Sequence, residues 1–171
     1  MPLAEHSVDL AFANFWLHRS SDLGESLDGL RRIVRPGGLI LLTLPGLDLF
    51  RELIERGAQI EPDHRVEAQR LGDALIRAGF QEPVLDTDWL TVRHNSVAEL
   101  VADLEASGFR CRLPDALERA PGRDGRPGDD LAITWEIVYA SAWAPEEGQP
   151  IRSAEGETAS ISLANLTIRR R

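Results

Sequence analysis

The sequence predicts an α/β fold, and three observations carry that prediction. Two apolar runs, Val8 to Phe15 and Leu39 to Leu44, flank a segment in which Leu23, Leu27, Leu30 and Val34 recur at helical spacing. That order is a β-α-β unit. The second run is apolar on both faces, as in a strand covered by helices on either side. Further along, Ile133, Trp135, Ile137 and Tyr139 alternate with Thr134, Glu136 and Val138 in the period of a closing strand.

Taken in order, Val8 to Phe15 reads as a buried strand whose polar Asn14 lies toward the carboxyl end, where open α/β sheets meet their ligands. Asp22 and Glu25 are spaced as a capping box for the helix that follows, and Arg31, Arg32 and Arg35 suit the negative end of its dipole. Pro36-Gly37-Gly38 is expected to stop that helix before the strand over Leu39 to Leu44. Leu47, Phe50 and Ile54 predict a further helix, a loop surrounds Pro62, and Ala68, Leu71, Leu75 and Ala78 predict a helix ending at Gly79. A strand spans Val84 to Val92. Ser96 and Glu99 then cap a helix that carries Val97, Leu100, Val101 and Leu104 and ends at Gly108. Residues 121–128 form a breaker-rich loop. Trp135, Tyr139 and Trp143 share one face of the closing strand and are expected to pack the sheet. From Pro145 the chain turns rich in Glu, Gly and Ser, so residues 145–171 are expected to be a mobile tail, with Ile161 to Ile168 as a short element.

Composition narrows the function. At 171 residues the chain fits one domain, and 43% apolar against 27% charged residues is globular composition. The net charge of −9 argues against nucleic acid as a partner, since affinity for phosphates comes from Lys and Arg. All 19 positive residues are Arg. The single Cys111 cannot form an internal disulfide, and His6, His64 and His94 lack partners at metal-ligand spacing, so no metal is expected and a reducing cytoplasm fits. No apolar run reaches the ~18 residues of a membrane span, and Met1 to Glu5 is not a basic leader, so neither insertion nor export is predicted.

Met1-Pro2-Leu3 with Ser7-Val8-Asp9-Leu10-Ala11-Phe12-Ala13-Asn14 resembles the L-P-L/F…S-F-D-L-V-x-S-N element of strand four in class I S-adenosylmethionine-dependent methyltransferases. Leu30 to Leu41, with Arg35-Pro36-Gly37-Gly38, follows at that family's spacing and matches its helix, R-P-G-G turn and strand five. Leu71 to Phe80 and Thr134 to Trp143 resemble the G-D-A-L-x-x-A-G-F and T-Y-E-V-V-Y-x-H-A-W segments of the malonyl-acyl carrier protein O-methyltransferases of biotin synthesis. The resemblance covers residues 1–144. It implies the C-terminal part of a Rossmann-like methyltransferase sheet, without the N-terminal strands and the glycine-rich D-x-G-x-G-x-G loop.

The resemblance further implies S-adenosylmethionine as cofactor, with Asn14 and Phe15 beside its methionine half and His18 in reach of it. Arg19 stands where the branch commonly has an aromatic residue and is the candidate partner of an acidic substrate. The implied reaction is O-methylation of the malonyl carboxylate on acyl carrier protein. A carboxylate is already a nucleophile, so the absence of a recognisable acid-base dyad does not count against catalysis. The alternatives are a methyltransferase acting on another small acceptor, or a shortened, non-catalytic module that binds a partner through its sheet. In the family strand four pairs with strand one, so here Val8 to Phe15 is expected to be an edge prone to self-association.

Overall fold

The computed structural model describes residues 2–62, 64–115, 131–148, 150–153 and 156–159. Eight strands and four helices run in the order β1 (Val8–Asn14), α1 (Leu23–Ile33), β2 (Val34–Pro45), α2 (Arg51–Glu55), β3 (Gln59–Glu61), α3 (Ala68–Arg77), β4 (Gln81–Arg93), α4 (Val97–Ala106), β5 (Arg110–Arg112), β6 (Ala132–Trp143), β7 (Pro150–Ser153) and β8 (Gly156–Ala159). The main sheet has the order β1-β2-β6-β4. The β1-β2 pair is parallel, as its helical crossover requires, and β6 runs antiparallel to both β2 and β4. The predicted α/β class is therefore realised as a Rossmann-like sheet with an antiparallel closing strand.

The helices form where the sequence supplies both an apolar stripe and a cap. Asp22 accepts from the Glu25 backbone N–H at 3.0 Å to start α1, and Ser96 accepts from the Glu99 N–H at 3.1 Å to start α4. Leu27, Leu30 and Ile33 of α1 and Leu71 and Leu75 of α3 bury against Ile40, Leu42 and Leu44 of β2 and Val138, Ala140 and Ala142 of β6. Fully burying a Leu or Ile stabilises by roughly 1.5–3 kcal/mol, so this layer holds the sheet to its helices. A second cluster gathers Leu49, Phe50 and Leu53 around α2 with Leu100, Leu104, Phe109 and Ile133. The second cluster packs against Phe15 and Trp135.

Two expectations change. The helix ends at Ile33, and Val34 already pairs with Val8, so Pro36-Gly37-Gly38 lies inside β2 as an irregularity between the Val8–Val34 and Leu10–Leu39 pairs. Gly38 is required there because an added Cβ would sit 3.0 Å from the carbonyl oxygens of both Asp9 and Arg35. The second correction concerns cover. α1 and α3 join one core layer, while Leu10, Phe12, Val84, Tyr139 and Trp143 on the other face of the sheet remain exposed. Tyr139 and Trp143 therefore do not pack the sheet; the small Ala140 and Ala142 face the helices instead. The expected loop around Pro62 is present and follows β3, which pairs with β5. Within residues 145–171, Pro150–Ser153 and Gly156–Ala159 form a two-stranded antiparallel hairpin. The loop predicted over residues 121–128 and the element at Ile161 to Ile168 lie outside the described residues.

Candidate functional site

At the carboxyl ends of β1 and β2 the chain leaves the sheet by a sharp turn. Phe15 adopts a left-handed φ of 45°, a conformation costing about 1–3 kcal/mol that persists only where the surroundings fix it. Thr43 on β2 does the fixing. The Phe15 N–H donates to the Thr43 carbonyl at 3.1 Å and to its hydroxyl oxygen at 3.0 Å. The same hydroxyl donates to Asn14 Oδ1 at 2.5 Å. That bond occupies the carbonyl of the Asn14 side chain and leaves its amide N–H groups without a partner among the described residues.

Beside this turn lies a crevice of about 410 Å³ lined by Asn14, Phe15, Thr43, Ala106, Ser107, Trp135, Ile137 and Tyr139. Trp135 is held by an edge-on contact with Phe50, 4.9 Å between ring centroids, and a tilted contact with Phe15 at 6.2 Å. β6 brings Trp135 and Tyr139 to the crevice because it pairs with β2 in a register that sets Tyr139 opposite Thr43. Ala106 and Ser107 arrive from the end of α4, where Gly108 at a φ of +90° reverses the chain. Of these residues the sequence reading named Asn14 and Phe15 for the cofactor. It missed Thr43, the only polar side chain in Leu39 to Leu44, and that interruption of an apolar run was the available signal.

The other two predicted residues lie elsewhere. His18 sits in a single 3-10 turn over Leu17–Arg19 and is 1% exposed, stacked on Phe109 at 4.5 Å and edge-on to Phe15 at 5.9 Å. Neither of its ring nitrogens has a hydrogen-bond partner among the described residues. Burial, reinforced by the positive charge of Arg19 and by His64, lowers its pKa and keeps the ring neutral. His18 thus supports the Phe15 turn from behind. Arg19 lines a separate cavity of about 620 Å³ with Glu61, Pro62, Glu105, Gly108, Phe109 and Arg110.

Around the second core cluster, two carboxylates, the half-buried Glu52 and the buried Glu136, tie α2 and the β2-α2 connection to β6. Glu52 accepts from the Thr134 N–H at 2.9 Å and from the Thr134 hydroxyl. Burial alone would raise its pKa, but those bonds to the charged form outweigh it and the net shift is downward. Glu136 accepts from the Asp48 N–H, and an added Cβ on Gly46 would lie 2.2 Å from the Glu136 carboxyl carbon. These contacts anchor the β2-α2 connection. Among the described residues no group of three or more potential ligands could hold a metal ion, and no helix is long and apolar enough to cross a membrane.

Comparison with known proteins gives the relatives of the chain and the likeness of its fold. Residues 1–42 match a family model described as a methyltransferase domain. The whole chain is 35% identical to a malonyl-[acyl-carrier protein] O-methyltransferase of Xylella fastidiosa, of which it covers 63%. It is 30% identical to malonyl-[acyl-carrier protein] O-methyltransferase 1 of Coxiella burnetii, with 97% of this chain and 64% of that protein aligned. The chain therefore spans less than two thirds of the length of these relatives. Among solved structures, the YcgJ protein of Bacillus subtilis superposes with a TM-score of 0.56 at 13% identity, over 85% of this chain and 68% of that one, a likeness of fold.

Proposed function

We propose, for a chain that carries the class I methyltransferase fold and is related in sequence to malonyl-acyl carrier protein O-methyltransferases, that it forms part of an S-adenosylmethionine-dependent O-methyltransferase acting on an acyl carrier protein-bound malonyl group. The observation that carries the reading is the crevice at the carboxyl ends of β1 and β2, with the free amide donors of Asn14 at its edge. The donor set fits the cofactor. Asn14 can donate to the carboxylate of its amino-acid moiety, and the Phe15 ring supplies an apolar wall. When bound, S-adenosylmethionine supplies an electrophilic methyl group; the C–S bond breaks as the acceptor oxygen forms its C–O bond, and no proton moves.

The residues of this chain position the reactants and exclude water. Thr43 fixes Asn14 and Phe15 together, and Trp135 and Ile137 form a wall that keeps water from the acceptor. A second reading draws on the exposed apolar face of Leu10, Phe12, Val84 and Trp143: the sheet is a non-catalytic docking module. Titration of the chain with S-adenosylmethionine by calorimetry decides between them. Saturable micromolar binding, weakened about tenfold by Asn14→Ala (the loss of about 1.4 kcal/mol), is the expected outcome. A chain that takes up no cofactor, or binds it equally well without the Asn14 side chain, would sink the site as drawn and favour the docking module.

A further inference from the structure

No charged side chain lines the candidate crevice. This is unusual for a site meant to receive an anion. Across the sheet, Asn14 pairs with Thr43, Thr43 with Tyr139, and Tyr139 with Asp86, so four polar residues form one row on the open face. The next row, two residues back, is Phe12, Leu41, Ser141 and Val84. The polar row borders the crevice, and its Tyr139 hydroxyl makes no hydrogen bond among the described residues. The same is true of the Ser107 hydroxyl, which also lines the crevice. Like the Asn14 amide and the Trp135 Nε1–H, these two hydroxyl donors line one uncharged cavity without partners among the described residues. Arg19, by contrast, lines a separate cavity with Glu61, Glu105 and Arg110, where two carboxylates balance the two guanidinium groups.

We propose that the hydroxyls of Tyr139 and Ser107, and not the Arg19 guanidinium, hold the carboxylate of the methyl acceptor. The inference rests on the methyl-transfer reading and names the acceptor subsite within it. Its chemical basis is differential binding. A carboxylate oxygen loses its negative charge as it becomes an ester, so a bidentate guanidinium stabilises the starting anion more than the transition state and raises the barrier. Hydroxyl donors orient the same group through weaker bonds and leave one oxygen lone pair free to react. The Phe15, Trp135 and Ile137 walls favour a reaction in which opposite charges cancel.

The test is calorimetric and uses malonyl-pantetheine, an acyl thioester with a terminal carboxylate, against propionyl-pantetheine, which lacks it. The unaltered chain is expected to prefer the malonyl thioester at least tenfold. Tyr139→Phe and Ser107→Ala should each weaken malonyl binding about tenfold and shrink that preference, with propionyl binding, S-adenosylmethionine affinity and the melting temperature held. Arg19→Ala should change malonyl binding less than threefold. If Arg19→Ala abolishes the preference while the hydroxyl variants keep it, this assignment is overturned and the methyl-transfer reading stands. If the unaltered chain shows no preference for the malonyl thioester, the assignment and the malonyl reading fall together.

Discussion

At the scale of single residues, Thr43 holds the site together through one hydroxyl that accepts from the Phe15 N–H and donates to Asn14. Thr43→Val keeps the volume but strands the Phe15 turn, and a cost of about 1–3 kcal/mol is expected, read as a lower melting temperature together with weaker cofactor binding. His18 makes a different prediction. Its folded pKa is lowered chiefly by burial, with help from Arg19 and His64, so below the unfolded value of about 6.5 the unfolded chain binds a proton that the folded chain refuses. Stability contributed at neutral pH is then lost as the solution is acidified through that value. His18→Phe should preserve the stack on Phe109 and flatten the melting temperature between about pH 5 and pH 7; an unchanged pH profile would show that the ring is protonated in the fold. Asn14 and Phe15 were legible in the sequence because a polar residue ends an apolar strand. Tyr139 and Trp135 were not, since their place beside Thr43 depends on a β2-β6 register between segments nearly a hundred residues apart, and Ser107 was not, since it reaches the crevice only through the packing of α4.

At the scale of elements, local chemistry was the legible part. The caps at Asp22 and Ser96 and the apolar stripes of α1, α3 and α4 are local signals that can be read without the tertiary structure. Pro36-Gly37-Gly38 was misread because breaker residues signal a helix stop equally well when they serve an irregular strand. Two glycines separate those roles. Gly29 lies in α1 with nothing within 4 Å of an added Cβ, whereas at Gly38 the Cβ would meet backbone oxygens and, at 2.6 Å, the Val34 side chain. Gly29→Ala should therefore stabilise by up to about 1 kcal/mol, and Gly38→Ala should destabilise by about 1–3 kcal/mol. Chemical denaturation of the two variants checks the pair, and equal signs would contradict the placement of Gly38 against β1. The three-residue strands β3 and β5 were beyond reach for another reason: so short a run carries no period.

At the scale of the whole molecule, the helical cover predicted for both faces of β2 is present, among the described residues, on one. β1 pairs with β2 along one side only and closes the sheet order β1-β2-β6-β4 as an edge. Phe12 on that edge is 66% exposed and Leu10 is 51% exposed, side by side on the open face. The one charged side chain in β1, Asp9, is occupied by Arg35 at 2.7 Å, so the strand lacks the free edge charge that usually discourages pairing. An antiparallel pairing of two copies about Ala11 would set Phe12 of each against Leu10 of the other and join the two sheets. The isolated chain should accordingly sediment with a concentration-dependent mass. Phe12→Lys, which places a charge at the centre of that edge, should shift it toward the monomer without lowering the melting temperature, because Phe12 contributes nothing to either core cluster. A unaltered chain that remains monomeric at the highest concentrations would mean that the edge is already covered, and the exposed face would then have to be explained by contacts outside the described residues.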